Sequence, residues 1–170
     1  MTAYLANLLG AASLGISDRV AEAAEASTGL GGETAPALVL IGMTPRVTIK
    51  LLAERLRLSH AGAVRLVDRL EKAGLVRRES SEDKREVRLA MTRKGHAAHE
   101  RLRRARQDTI KTIVSTLSAA QRAALEPILT SLVANLATDR VSAWSNCRLC
   151  DAQTCAARGC PVAAWDQPES

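Results

Sequence analysis

The sequence predicts a mainly α-helical protein with one small β-hairpin, and three observations carry that reading. Aromatic residues make up 2% of the 170-residue chain and phenylalanine is absent, so the core must be built from Leu, Val, Ile and Ala, which suits helix-on-helix packing. Apolar residues recur at three- and four-residue steps through most of the chain. A single stretch, residues 75–91, alternates apolar and polar residues around a wholly polar centre.

From Thr2 to Ser27, Leu5, Leu8, Leu9, Ala12, Ile16, Val20 and Ala23 form one apolar stripe, and the glycines at 29, 31 and 32 end the helix. A second helix over Glu33 to Met43 is apolar on nearly all sides and belongs at the centre of the molecule; Pro45 marks the next junction. Val47 to Leu56 reads as a short helix, followed after two or three residues by another with Ser59 as N-cap, running to about Ala73 and stopped by Gly74. This is the arrangement of a helix-turn-helix.

At about 100° per residue, Ala63, Leu66, Val67, Leu70 and Ala73 face inward on that last helix, while Ala61, Gly62, Arg65, Asp68, Arg69 and Lys72 face outward. A face that opens with Ser59, His60, Ala61 and Gly62 and continues with Arg65, Arg69 and Lys72 suits a major groove: small residues allow close approach, and arginine reaches guanine edges or phosphates. Residues 75–79 and 87–91 then form two strands joined by residues 80–86, a charged hairpin in the place of a wing.

Thr92 caps a long helix, and Ser118 with Gln121 forms a capping box opening another that lasts to about Arg140. Their apolar surface, with that of the first helix, calls for a partner, and a homodimer is the economical solution because two-fold DNA half-sites ask for two-fold protein symmetry. The division expected is N-terminal dimerisation and core helices over 1–43, a winged helix-turn-helix over 44–95, C-terminal dimerisation helices over 96–141 and a cysteine-rich tail over 142–170.

Charge supports the same division. Residues 44–106 carry 18 Lys and Arg against 8 Asp and Glu, a balance of +10, while the rest of the chain is at −4. Such concentration suits the phosphate backbone of double-stranded DNA, where neutralisation releases counterions. No nucleophile elbow, phosphate loop or paired-carboxylate site is recognisable, so an enzyme is not expected. The chain has no apolar run of the roughly 20 residues that span a bilayer and no signal-peptide pattern, so it is expected in the cytoplasm.

The sequence resembles the MarR family of winged-helix regulators over residues 51–56, 64–76 and 83–95; the last run follows the family's Asp-x-Arg, then Leu-Thr-x-x-Gly pattern, with Met91 where Leu is usual. The resemblance implies a triangular helical dimer with its first and last helices interleaved. It also implies a repressor of transcription on a palindromic operator, with Arg65 and Arg69 on the recognition helix. Lys84 and Arg85 would then reach the minor groove or phosphates from the wing tip, and Asp83 would pair with an arginine to hold the wing. Family members often bind small ligands beside the dimer interface, but no aromatic lies between Tyr4 and Trp144, and no organic effector is indicated.

All four cysteines, Cys147, Cys150, Cys155 and Cys160, lie within 14 residues as C-x2-C-x4-C-x4-C followed by Pro161. Four thiolates at that spacing suit a tetrahedral metal site or a cluster. Zinc-knuckle spacing favours zinc and the Cys-Pro ending an iron–sulfur cluster, with a thiol–disulfide switch as a third reading. Trp144 and Trp165 bracket the segment and suggest a shield or a docking contact against the dimer body. His96 and His99, one turn apart, form a weaker metal pair. The competing reading of the whole chain is a protein-interaction or RNA-binding module using the knuckle-like tail.

Overall fold

A computed structural model of the chain describes residues 2–44, 46–80 and 87–165. Its first helix, α1 (Ala3–Thr28), is capped by the Thr2 hydroxyl and stopped by Gly29, which takes the left-handed conformation at φ 70°. Next, α2 (Thr34–Met43) is buried at every position from 34 to 41, as its all-round apolar sequence predicts. The chain continues through α3 (Ile49–Arg55), α4 (His60–Lys72), β1 (Val76–Ser80), β2 (Val87–Met91) and α5 (Arg93–Ser115). After these come α6 (Ala119–Leu136), α7 (Arg140–Asn146), α8 (Ala152–Arg158) and a single 3-10 turn at Ala163–Trp165.

The main core gathers Leu38 from α2, Leu52 from α3, Leu66, Val67 and Leu70 from α4, and Val76 from β1, all essentially without solvent contact. Each such side chain contributes about 1.5–3 kcal/mol on removal from water. The inward arc expected for α4 is the buried one, with Ala63, Leu66, Val67 and Leu70 beneath the surface. Ala98 and Leu102 of α5 close the core from below, and α1 packs along α5.

Three boundaries differ from the sequence reading. First, α3 begins at Ile49, not Val47, because residues 47 and 48 are drawn into the sheet: Leu89 N donates to the Val47 carbonyl at 2.8 Å and Thr48 bridges Arg88. Thr48 instead caps the helix, its hydroxyl accepting from Leu51 N. Second, four residues, 56–59, separate α3 from α4, with Arg57 left-handed at φ 53°. Third, α6 stops at Leu136, and Asp139 opens the separate helix α7 through reciprocal bonds with Ser142. The segment with the cysteines is itself partly helical, since Cys155 lies within α8.

The two strands pair antiparallel in register from Val76↔Met91 to Ser80↔Val87. The junction of α4, β1 and α5 is tight: the Thr92 hydroxyl donates to the Gly74 carbonyl at 2.7 Å, Thr92 N donates to the Leu75 carbonyl at 3.0 Å, and Lys94 Nζ donates to the Ala73 carbonyl at 2.7 Å. The ammonium thereby satisfies a carbonyl at the C-terminus of α4, where the helix dipole favours positive charge.

Candidate nucleic-acid interface and cysteine segment

Ser59, exposed at the mouth of α4, accepts from Gly62 N at 3.1 Å and so fixes the first turn. His60, Ala61, Arg65, Arg69 and Lys72 are exposed along the same helix, while Gly62 is half-buried against Ser59 and Leu58. The outward face is therefore the one expected, small at its start and cationic beyond. Arg65 and Arg69 border one open hollow together with Gly62, Asp68 and Glu33. Asp83, Lys84 and Arg85, expected at the wing tip, lie outside the described residues, as does Pro45.

The described contact that ties the hairpin to α4 comes from a residue to which the sequence reading gave no role. Arg78 of β1 places Nη2 at 2.6 Å from Asp68 Oδ1 and pairs through Nη1 with Glu71, whose other oxygen accepts from Arg78 N at 3.3 Å. The hydrogen bond to Asp68, with both carboxylates nearby, holds the guanidinium above its ordinary pKa. Alternation in the strand marks Arg78 as facing one side, but nothing local identifies its partners on another element.

The four cysteines border one open cavity of about 1040 Å³, shared with apolar side chains of α1, α5 and α6 and with Arg106. All four thiols are free and half-buried. Cys150 Sγ and Cys155 Sγ stand 3.4 Å apart, and Cys150 also hydrogen-bonds Cys147. That bond pulls the Cys147 thiol below its ordinary pKa and, with burial, pushes Cys150 up; burial first, then Cys150, raises Cys155. The half-buried Arg106 guanidinium favours thiolate at all three, adding to the downward shift of Cys147 and opposing the upward shifts of Cys150 and Cys155. Cys147 and Cys160 also pack against a small cluster of Ala137, Ala143 and Val162. Among the described residues, no three His, Cys, Asp or Glu side chains stand ready-converged on one point as a finished ion site.

Asp151, the N-cap of α8 between Cys150 and Cys155, accepts from Arg103 Nη1 at 3.1 Å and Gln107 Nε2 at 2.8 Å, both on α5. Burial alone would raise its carboxyl pKa, but bonds from Thr154 and Arg103 outweigh it and the net direction is down. The Trp144 ring is flanked by Arg55 of α3, 4.0 Å from the ring centroid, and Arg140, at 4.6 Å. Trp165, in the 3-10 turn, is exposed. Of the two histidines on α5, His96 is exposed and His99 half-buried beside Gly42, where burial foremost lowers its pKa.

No curated protein matches the chain. The model of the MarR family matches residues 28–86. Among solved structures, a MarR family protein from Bacillus stearothermophilus is similar at 25% identity and TM-score 0.67, covering 76% of this chain and 91% of its own. YusO from Bacillus subtilis is similar at 21% identity and TM-score 0.66, covering 75% and 91%. Streptococcus pneumoniae FabT, solved in complex with DNA, is similar at 23% identity and TM-score 0.64, covering 76% and 94%. The family match spans the helix-turn-helix and stops at residue 86, short of every cysteine. Residues 28–86 thus match the MarR family model, and over three quarters of its length the chain has the fold of solved MarR-family structures.

Proposed function

We propose that the protein is a cytoplasmic, homodimeric, sequence-specific DNA-binding regulator, a repressor acting on a palindromic operator. We further propose that its cysteine segment holds a thiophilic metal centre, with zinc as the first candidate and an iron–sulfur cluster as the alternative. The observation that carries the DNA reading is the exposed face of α4, where Arg65, Arg69 and Lys72 follow a start made of small residues, with a hairpin directly alongside. FabT, similar in fold, is a protein crystallised on DNA, which supports the same use of this lobe. The apolar rows of α1 and α6, exposed in a single copy, support the dimer.

The metal reading rests on four free thiols around one cavity, two of them 3.4 Å apart, with Arg106 as a neighbouring cation. Four thiolates around a divalent ion leave a net charge of about −2, which Arg106 offsets. When bound, such a centre cross-links a segment too small to bury a core of its own and releases the thiol protons to solvent.

Fluorescence anisotropy with double-stranded DNA from upstream of the protein's own gene tests the first part. Arg65→Ala and Arg69→Ala are expected to weaken specific binding by about 1–3 kcal/mol each, and Lys72→Ala to lower the salt dependence by about one phosphate contact. Binding that ignores all three changes at matched salt rules out α4 as the reading helix. Metal analysis and absorbance of protein purified without oxygen test the second part. About one zinc per chain in a colourless sample means zinc; a brown sample means iron–sulfur. Neither metal removes the reading.

A further inference from the structure

We infer that occupation of the four-cysteine centre is transmitted to the helix-turn-helix through Trp144. This rests on the metal-centre reading proposed above and adds to it a route and a consequence.

Cys147 ends α7, its N–H donating to the Ala143 carbonyl at 3.2 Å, and Trp144 stands one turn before it on the same short helix. The Trp144 ring meets the guanidinium of Arg55 at 4.0 Å. Arg55 is the last residue of α3, and its Nη1 donates to the Thr44 hydroxyl at 2.8 Å, where α2 ends. One aromatic ring therefore joins a cysteine-bearing helix end to the first helix of the helix-turn-helix and to the central helix beneath it. On its other side the segment is tied to α5 by Asp151, through Arg103 and Gln107.

These ties are polar or stacking contacts, and the apolar support described behind them is the small cluster of Ala137, Ala143 and Val162 together with Leu149, which packs against the main core. Such a segment orders weakly by burial and gains its order from cross-links among its sulfurs. With the four thiolates tied, the last turn of α7 is fixed and the Trp144 ring stays against Arg55. With them released, that turn frays, the ring leaves, and α3 loses a lateral support. These are two states of one element with different affinities for the metal and for DNA, which is what coupling between sites requires. The tied state holds α3 beneath α4 before DNA arrives, so the loaded form binds DNA more tightly.

The test compares the full chain reloaded with Zn2+ against the same sample stripped by a chelator under reducing conditions, using DNA from upstream of its own gene. Stripping is expected to weaken binding about tenfold, within the usual range for coupled sites. Trp144→Ala is expected to take up as much zinc as wild type while loaded and stripped forms bind DNA alike; Trp144→Phe, which keeps a flat ring for the guanidinium, restores the difference. A second measurement does not depend on Trp144→Ala folding: in the Trp165→Phe chain Trp144 is the sole tryptophan, and its emission should shift to the red on stripping.

Normal zinc uptake with no difference in DNA affinity, an equal difference in Trp144→Ala, or unmoved Trp144 emission each overturns the coupling and leaves the metal centre standing. A wild-type chain that holds neither zinc nor iron and takes up no Zn2+ overturns the metal reading, and the coupling with it.

Discussion

At Gly95, in the first turn of α5, a side chain has nowhere to go: a Cβ built there would lie 2.0 Å from the Leu75 carbonyl oxygen. The same oxygen accepts from Thr92 N, so the obstruction is backbone held in place by its own hydrogen bond. Gly→Ala inside a helix ordinarily gains up to about 1 kcal/mol, and here the clash reverses the sign. Gly95→Ala is expected to cost about 2–3 kcal/mol and to lower the melting temperature on the order of 5–10 °C, measured by circular dichroism. Gly74 makes the contrast, because it is required for its φ of 70° and the Cβ it lacks would meet only the flexible end of Lys94. The sequence marks Gly74 as a helix stop by its position after Ala73, whereas the demand on Gly95 comes from Leu75, twenty residues away in the turn before β1.

Between elements, the Arg78 contact sets how the hairpin stands against α4. The guanidinium is partly exposed, so its two ion pairs contribute at most about 1 kcal/mol to stability. Its larger effect is on charge. Removing it leaves Asp68 and Glu71 uncompensated on the helix that would face phosphates. Arg78→Met, which keeps most of the aliphatic stem, is expected to change the melting temperature by only a few degrees while weakening DNA binding about tenfold, a cost of about 1.4 kcal/mol. Unchanged affinity in the anisotropy assay would show that the wing takes its position from other contacts.

The same scale shows what a single sequence makes legible. Helix starts at Thr2, Ser59, Thr92 and Ser118 follow from hydroxyls that cap their own helices, a chemistry confined to three or four residues. The buried and exposed arcs of α4 follow from helical period alone, and with them five of the candidate DNA contacts. The displaced start of α3 does not, because Val47 is claimed by Leu89 of a distant strand. The break before α7 had a local signal, Asp139 with Ser142, but it is a capping box with its usual acidic and hydroxyl residues exchanged, and the apolar run of α6 masks it. Contacts such as Arg55 with Trp144 join residues with no spacing rule between them.

For the molecule as a whole, the exposed apolar side chains divide mainly between α1 and α6. Leu5, Leu8, Leu14, Ile128 and Leu136 are 54, 49, 68, 54 and 64% exposed, and no residue of α6 is buried. In the proposed homodimer a second copy would bury these rows and present two copies of α4 to one duplex. Paired changes, Leu8→Glu with Leu132→Glu, are expected to give monomers by light scattering and to abolish operator binding at concentrations where wild type is saturated. A double variant that remains dimeric would move the interface elsewhere.

The knot where Thr92 grips the end of α4 and the start of β1 has a mechanical consequence. It ties α4 to the near end of α5, so that any swing of the two would be that of one arm whose length is the helix, about 35 Å for 23 residues. In the proposed dimer, a tilt of about 5° at the far end would carry α4 sideways by about 3 Å. Half-sites on DNA repeat every 34–36 Å or so, and such a swing in both arms is enough to take a matched pair of helices out of step with successive major grooves. Small repacking far from the DNA is thereby geared up to the dimension in which an operator is measured.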